Sequence, residues 1–338
     1  MADAGVPTAG VVVEQLEKRF GSFRALRGVD FEVHPGTVVG LLGPNGAGKT
    51  TTINILTTLL SADAGHATVA GYDVATQAQL VRSVIGLTGQ FAAIDEDLTG
   101  FENLVLIGRL GRLRKASAHR RAEQLLDTFD LEVAGAKLLR MYSGGMRRRL
   151  DIAASLMVAP AVLFLDEPTT GLDPRSRLAL WDVISKLRAD GTTIVLTTQY
   201  MEEADRLADR ISVIDGGLII AEGTADELKQ RVGGDVVHLA MRDPRETARA
   251  AAALATCFDV ETAELVVDEE LGTVQVPTRA GAAALVEVVR VIDAERIEPI
   301  DLGLRRPSLD DVFLSLTGHM AEEQRTDEQP ARRSRPRT

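Results

Sequence analysis

The stretch Gly43 to Thr51, GPNGAGKTT, follows an apolar run from Thr37 to Leu42 and precedes another from Ile53 to Leu60, the pattern of a loop between a strand and a helix. Gly43, Gly48, Lys49 and Thr50 satisfy the spacing G-x-x-x-x-G-K-[ST], with Pro44, Asn45, Gly46 and Ala47 between them and Thr51 closing the run. Glycines at those places let successive backbone N–H groups turn inward around a phosphate. The helix beginning near Lys49 adds the positive end of its dipole. Lys49 would set a point charge on the β and γ phosphates of a nucleotide, and Thr50 would offer a hydroxyl to Mg²⁺.

A second anion site is suggested by Ser143-Gly144-Gly145, which presents a hydroxyl and bare N–H groups ahead of a helix; read alone, it also fits an ordinary N-cap. Asp166 and Glu167 close the apolar run Ala161 to Leu165, which is too apolar along its length to be a half-exposed strand. Ligands of open α/β sheets bind at the carboxyl edge of the strands, so Asp166 can reach Mg²⁺ while Glu167 orients and deprotonates a water. Phe20, upstream of Lys49 on a loop between strands, can stack on an adenine or pack within its loop. Gln90, Asp173 and Gln199 lie in loops that follow apolar segments, and by themselves carry no assignment.

The elements that must hold these groups are legible from hydrophobic periodicity. Val11 to Leu16 and Gly28 to Val33 alternate as strands, Ala67 to Ala70 resumes one, and strands at 85–89, 161–165 and 193–197 alternate with helices. Over residues 37 to 214 this predicts a parallel, doubly wound sheet. Between them, residues 91 to 158 read as a helical insert: Phe101, Leu104, Leu106, Ile107 and Leu110 form a broad apolar stripe, and the basic run Arg109 to Arg121 reads as a solvated face. Gly233-Gly234 marks a boundary between a domain at 9–232 and a second at 234–320. The second reads βαββαβ, a ferredoxin-like α+β pattern with strands at 236–241, 264–268, 273–277 and 297–303 and helices at 245–256 and 280–293. A closing helix follows, with Ser308 and Asp311 as its capping box and Leu309, Val312, Phe313 and Leu316 on one docking face. Residues 1 to 8 and the polar tail 321–338 are expected to be disordered.

Composition narrows the function. Hydrophobic residues at 45% and charged residues at 26% describe a chain able to bury a sizeable core. No run approaches the roughly 20 apolar residues of a membrane helix, and the N-terminus lacks the features of a signal peptide, so a cytoplasmic location is expected. A net charge of −11 argues against nucleic acid as the main partner. The single cysteine, Cys257, excludes an intrachain disulfide and reads as a small core residue; the five histidines show no metal-ligand spacing.

In order and spacing, residues 11 to about 228 resemble an ABC-transporter ATP-binding subunit. GPNGAGKTT is similar to that family's Walker A, Gln90 to its Q-loop, YSGGM to its signature, VLFLDEP to its Walker B, GLDP with Asp173 to its D-loop, and Phe20 to its adenine-stacking aromatic. Met146 stands where the signature usually has Gln, and Gln199 where the switch loop usually has His. TTQYMEEAD and PSLDDVFLSLTG look most like the daunorubicin and doxorubicin resistance exporter group. The resemblance implies a P-loop NTPase fold and ATP with Mg²⁺ as ligands, Thr50, Gln90 and Asp166 at the metal, and Glu167, Gln199 and Gln90 in hydrolysis. It also implies a head-to-tail homodimer on the cytoplasmic face of a bacterial membrane. A separately encoded permease would then contact the cargo, a hydrophobic drug or antibiotic. The alternatives are a soluble ABC protein acting on ribosomes or DNA, which would carry two modules or a long coiled coil, and a non-hydrolysing nucleotide sensor, against which Asp166 and Glu167 argue.

Overall fold

The computed structural model describes residues 10–89, 94–232, 235–258, 265–278, 280–305 and 308–313. The expectations for residues 1 to 8, Gln90, Gly233-Gly234, Leu316 and the tail fall outside them. The chain divides between Ala225 and Asp226 into two compact units. In chain order the first carries β1 (Val11–Phe20), β2 (Phe23–Val33), β3 (Val38–Leu42), α1 (Lys49–Leu56), β4 (Ala64–Val69), β5 (Tyr72–Asp73), α2 (Ala78–Val84), β6 (Ile85–Thr88), α3 (Gly100–Leu110), α4 (Lys115–Thr128) and α5 (Gly144–Ser155). It continues with β7 (Val162–Asp166), α6 (Pro174–Ala189), β8 (Thr193–Thr198), α7 (Met201–Leu207), β9 (Arg210–Asp215), β10 (Leu218–Gly223) and α8 (Ala225–Val232), the last helix crossing the division.

Two sheets result. The six-stranded one has the order β10-β9-β3-β8-β7-β6, parallel throughout except for β10 at its edge. A separate antiparallel sheet, β2-β1-β4-β5, carries the N-terminal strands. Strand residues of the parallel sheet alternate between two cores, as the period of 2 requires. Val39, Leu41, Val162, Phe164 and Val195 pack with α1 and the antiparallel sheet. Their neighbours Val38, Leu163, Leu165, Ile194 and Leu196 pack with the helices of the insert and α6. Apolar cover on both faces is why β7 and β8 are buried at every position.

The stripe expected on α3 is displaced. Leu104 is buried, but Leu106 and Leu110 are 44% and 74% exposed. Phe101, Val105 and Ile107 pack with Leu104 against the core, and Gly108 admits a close neighbour beside them, since a Cβ there would stand 2.5 Å from Met157 Cε. The basic run is not wholly a solvated face either, because Arg121 is half-buried and donates to Leu156 O at 3.1 Å. α3 opens on a capping box in which Thr99 and Glu102 satisfy each other's backbone N–H.

The second unit contains β11 (Asp235–Met241), α9 (Thr247–Phe258), β12 (Val266–Asp268), β13 (Thr273–Thr278), α10 (Ala282–Ala294) and β14 (Pro299–Arg305). Its antiparallel sheet has the order β12-β13-β11-β14, the ferredoxin-like arrangement. One sheet face, Val237, Leu239, Val274 and Val276, is covered by Ala250, Leu254, Val288 and Ile292 of the two helices. Cys257 is exposed, contrary to expectation, because α9 turns Leu254 and Ala255 inward and leaves Cys257 on the outer side. Ser308 and Asp311 form the expected capping box, and Leu309 and Val312 are buried. No helix of the described residues is long and apolar enough to cross a membrane.

The single tryptophan, Trp181, is 1% exposed and donates its indole N–H to Glu203 Oε1 at 3.0 Å. Burial raises the Glu203 carboxyl above its ordinary range. Trp181→Phe removes the donor and leaves a buried carboxyl oxygen short of a partner, which costs about 1–3 kcal/mol. The expected result is a lowered urea midpoint by circular dichroism, and an unchanged midpoint would refute it.

Candidate functional site

The alternation that divides the cores also delivers the carboxylates. On β7, Phe164 faces α1, so Asp166 two residues on faces the same way and meets the first turn of that helix. Thr50 Oγ1 lies 3.1 and 3.2 Å from the two Asp166 carboxylate oxygens and donates there. Parallel register sets Asp166 opposite Thr197 of β8, whose hydroxyl donates to Asp166 Oδ1 at 2.6 Å. A 5% exposed carboxylate beside a hydroxyl is an all-oxygen donor set, which suits Mg²⁺.

The phosphate loop is shaped by two close approaches. Gly43 leaves β3 with its N–H on Thr198 O, and a Cβ there would stand 2.1 Å from Ile214 O. Gly48 has φ +112° and would put a Cβ 2.7 Å from Leu26 Cδ2, so only glycine enters α1 this way. No side chain caps α1 at Gly48, which leaves its first-turn N–H groups for an anion. Lys49, 4% exposed, donates to Gly43 O at 2.8 Å and Pro44 O at 3.0 Å, and its ammonium lies 3.3 Å from Glu167 Oε1.

Glu167 follows β7 with φ +46°, a left-handed conformation that costs a non-glycine residue about 1–2 kcal/mol. Its N–H is fixed by both the carbonyl and the hydroxyl of Thr197, at 3.1 and 3.0 Å, and its Oε2 accepts from Thr170 at 3.1 Å. The bend breaks the strand alternation, so Glu167 lines the cavity that Asp166 lines and also the cleft over the phosphate loop. That cleft, of about 220 Å³, is lined by Phe20, Phe23, Asn45, Gly46, Gly48, Lys49, Thr50, Thr51 and Glu167. Phe20 ends β1 rather than lying in a loop and is 49% exposed, with Lys18 Nζ 5.8 Å from its ring.

The remaining sequence-predicted residues do not line this cleft. Ser143 caps α5, accepting from Met146 N at 3.3 Å, and Gly144 lines a neighbouring cavity of about 370 Å³ with Asp151, Asp166 and Glu167. Asp173 caps α6 through Ser176 N and Oγ, and those bonds hold its carboxyl below the usual range. The two caps touch: a Cβ on Gly145 would be 2.4 Å from Ser176 Oγ. Gln199 is half-buried, one residue beyond β8. Gln90 lies outside the described residues, directly after Gly89. Sequence reasoning missed Thr197, Arg148, Asp151 and Glu203. Only Thr197 had a signal, a polar residue ending an apolar strand, and its register against Asp166 could not be read from one chain.

Asp151 is 7% exposed, has Oδ2 without a hydrogen bond among the described residues, and faces Arg148 at 3.6 Å. Burial, opposed by Arg148, pushes its carboxyl up from 3.8 to about 6.

Known proteins fit this geometry. Residues 26–170 match the family described as ABC transporter. The chain is 55% identical to a daunorubicin resistance ATP-binding protein of Streptomyces coeruleorubidus over 92% of this chain and 96% of that one. It is 50% identical to a doxorubicin resistance ATP-binding protein of Mycobacterium tuberculosis over 91% and 93%. Among solved structures, an ATP-binding cassette in a dimeric post-hydrolysis state bound to ADP and Pi superposes with a TM-score of 0.57 at 25% identity, covering 63% of this chain and 98% of that one.

Between the ordinary carboxylate value and about 6 the folded chain binds more protons at Asp151 than the unfolded chain does, so this contribution to stability falls as pH rises through that window. Relative to Asp151→Asn, the parent should gain on the order of 2 kcal/mol of unfolding free energy between pH 7.5 and pH 4. Denaturant titrations of both chains across that range check it, and a difference independent of pH would contradict it.

Proposed function

Because the chain belongs to the ABC transporter family, we propose that it is the ATP-binding and ATP-hydrolysing motor of an exporter of a hydrophobic drug or antibiotic, acting as a homodimer on a separate membrane permease. The observation that carries this reading is a cleft at the carboxyl edge of a parallel sheet lined by Lys49, Thr50 and Glu167, with Asp166 hydrogen-bonded to Thr50 behind it. The soluble alternative is not favoured, since relatives aligned over nine-tenths of the chain are resistance ATP-binding proteins. Cargo contacts belong to the permease in this reading, and the membrane's cytoplasmic face is where the motor sits.

Thr50 and Asp166 would hold Mg²⁺, with Gln90 a further ligand assigned from the sequence, and the ion supplies charge neutralisation at the β and γ phosphates. Phe20 offers an exposed ring to the adenine. Lys49 turns from Glu167 and the loop carbonyls toward the phosphates, which frees the Glu167 carboxylate to orient a water and take its proton. A cleft of about 220 Å³ falls below the roughly 300–1,000 Å³ of ordinary ligand pockets, which supports closure by a second surface. Ser143, Gly144, Gly145 and Asp173 of a second chain are the residues proposed for it. Their mutual packing in one chain lets them act as a unit.

Glu167→Gln keeps the shape and removes the base, so hydrolysis should fall by about 10²-fold or more while ATP traps the dimer. Lys49→Ala should instead weaken ATP binding. The full chain, expressed with its permease, should raise resistance to a hydrophobic antibiotic, and Glu167→Gln should abolish that gain. Normal turnover by Glu167→Gln would remove the base assignment, and unchanged resistance would remove the motor assignment.

Gln199 is proposed to reach the γ-phosphate through its side-chain amide from the end of β8 as an uncharged switch. An amide donates but does not titrate. Gln199→Ala should cut kcat by about tenfold with little change in ATP affinity. Gln199→His should restore turnover with a new ionisation between about pH 6 and 7. Full turnover by the alanine variant in the presence of the permease would assign the γ-phosphate contact elsewhere.

A further inference from the structure

Three consecutive arginines follow the signature, and nothing in the sequence separates them. Their surroundings do. Arg147 pairs with Glu96 at 2.5 Å, and Arg149 donates to Phe129 O at 2.9 Å beside exposed Asp130. Arg148 turns inward: Nε donates to Pro168 O at 2.9 Å, Nη1 to Gly89 O at 2.7 Å, and Nη2 to Asp166 O at 2.9 Å and Glu167 O at 3.3 Å. A single side chain thus holds the carbonyls that end β6 and β7, and the one that begins the loop beyond Glu167.

We propose that Arg148, oriented by Asp151, is a positioning residue for hydrolysis, fixing the backbone that aims Glu167 and tying it to the helix begun by Ser143. The inference rests on the reading of Glu167 as the group that activates water. Its ground is the conformation of Glu167. A residue at φ +46° keeps that strain only where the surroundings over-determine it. Thr197 fixes the N–H side of Glu167, and its carbonyl accepts from the Thr170 N–H at 3.2 Å and from Arg148, the side chain that joins it to α5.

Arginine is required by geometry as well as by charge. The four acceptors come from two strand ends and a loop, and a rigid planar fork meets them where the three donors of a flexible ammonium would not. Asp151 supplies the direction. It lies on the same face of α5 three residues on, with Oδ2 3.6 Å from Arg148 Nη1, and both side chains are largely buried, at 16% and 9% exposure. A buried cation donating to four carbonyls, with the Asp151 carboxylate against Nη1, is held in this orientation. Because Arg148 and Ser143 stand on one helix, displacement of α5 also displaces the carbonyl of Glu167 and the entry to Gln90.

The test uses the full chain, with steady-state ATPase kinetics, fluorescent-nucleotide binding and thermal melts on Arg148→Gln, Arg148→Lys and Asp151→Asn, and Glu167→Gln in parallel. Arg148→Gln should lower kcat by about tenfold to a hundredfold, the penalty of a slightly misplaced group, with KM for ATP and nucleotide affinity changed less than about threefold. Arg148→Lys should recover less than about a third of the parental kcat, and Asp151→Asn should show a smaller loss in the same direction. Arg148→Gln combined with Glu167→Gln should be no slower in single turnover than Glu167→Gln alone, since both act through one group. Parental kcat in Arg148→Gln beside an inactive Glu167→Gln would overturn the inference. So would loss of nucleotide affinity in proportion to kcat, which marks a general structural role. A fully active Glu167→Gln would instead overturn the base assignment, and it is read without reference to Arg148.

Discussion

A glutamate held in the left-handed backbone region is the constraint around which this site is arranged. Regular strand geometry would send Asp166 and Glu167 to opposite faces of the sheet, one toward α1 and the other toward the insert helices. With φ at +46°, Glu167 comes back to the cavity that Asp166 also lines. The conformation is unfavourable by about 1–2 kcal/mol, and a pair of bonds to Thr197 with one from Arg148 holds it in place. Thr197 has a double task, donating to the Asp166 carboxylate while accepting from the Glu167 N–H. One hydroxyl thereby orders both acids.

That arrangement needs a sheet buried on both faces. If β7 and β8 had one solvated face, water would compete for the Thr197 hydroxyl and the Asp166 carboxylate, and their 2.6 Å hydrogen bond would weaken. Apolar cover from the antiparallel sheet and α1 on one side, and from the insert and α6 on the other, leaves the carboxyl edge of the strands as the opening. The phosphate loop lies across that edge. Gly43 brings the loop against Ile214 O, and Gly48 brings α1 against Leu26, so the start of the helix and the end of β7 meet through Thr50 and Asp166.

Much of this was legible in the sequence because its physics is local. Backbone freedom at Gly43 and Gly48, the apolar run into Asp166 and the caps at Ser143 and Ser308 are properties of short segments, and spacing alone identifies them. The βαββαβ order of the second unit follows from periodicity in the same way. What failed depended on packing partners. Phe101, Leu104 and Ile107 of the expected stripe pack in the core, but Leu106 and Leu110 do not, because α3 turns Val105 and Gly108 inward beside them. Cys257 lies on a helix whose inward face is set by the sheet it covers. Arg148 was hidden among like charges, and Thr197 acquires its meaning only from the register of β8 on β7.

The ion pair between Lys49 and Glu167 orders the events at the cleft. Lys49 donates to Gly43 O and Pro44 O and pairs with the Glu167 carboxylate, so its ammonium can be 4% exposed with its charge compensated. Phosphate competes for that ammonium with greater charge than one carboxylate offers, so filling the loop removes the partner that kept Glu167 occupied. In the proposed reaction, the ligand itself would thus free Glu167 from its ion pair. The hydrogen bond that Thr170 donates to the Glu167 carboxylate, the one the Glu167 N–H donates to Thr197 and the grip of Arg148 on its carbonyl do not involve Lys49, so they remain when the ammonium turns away.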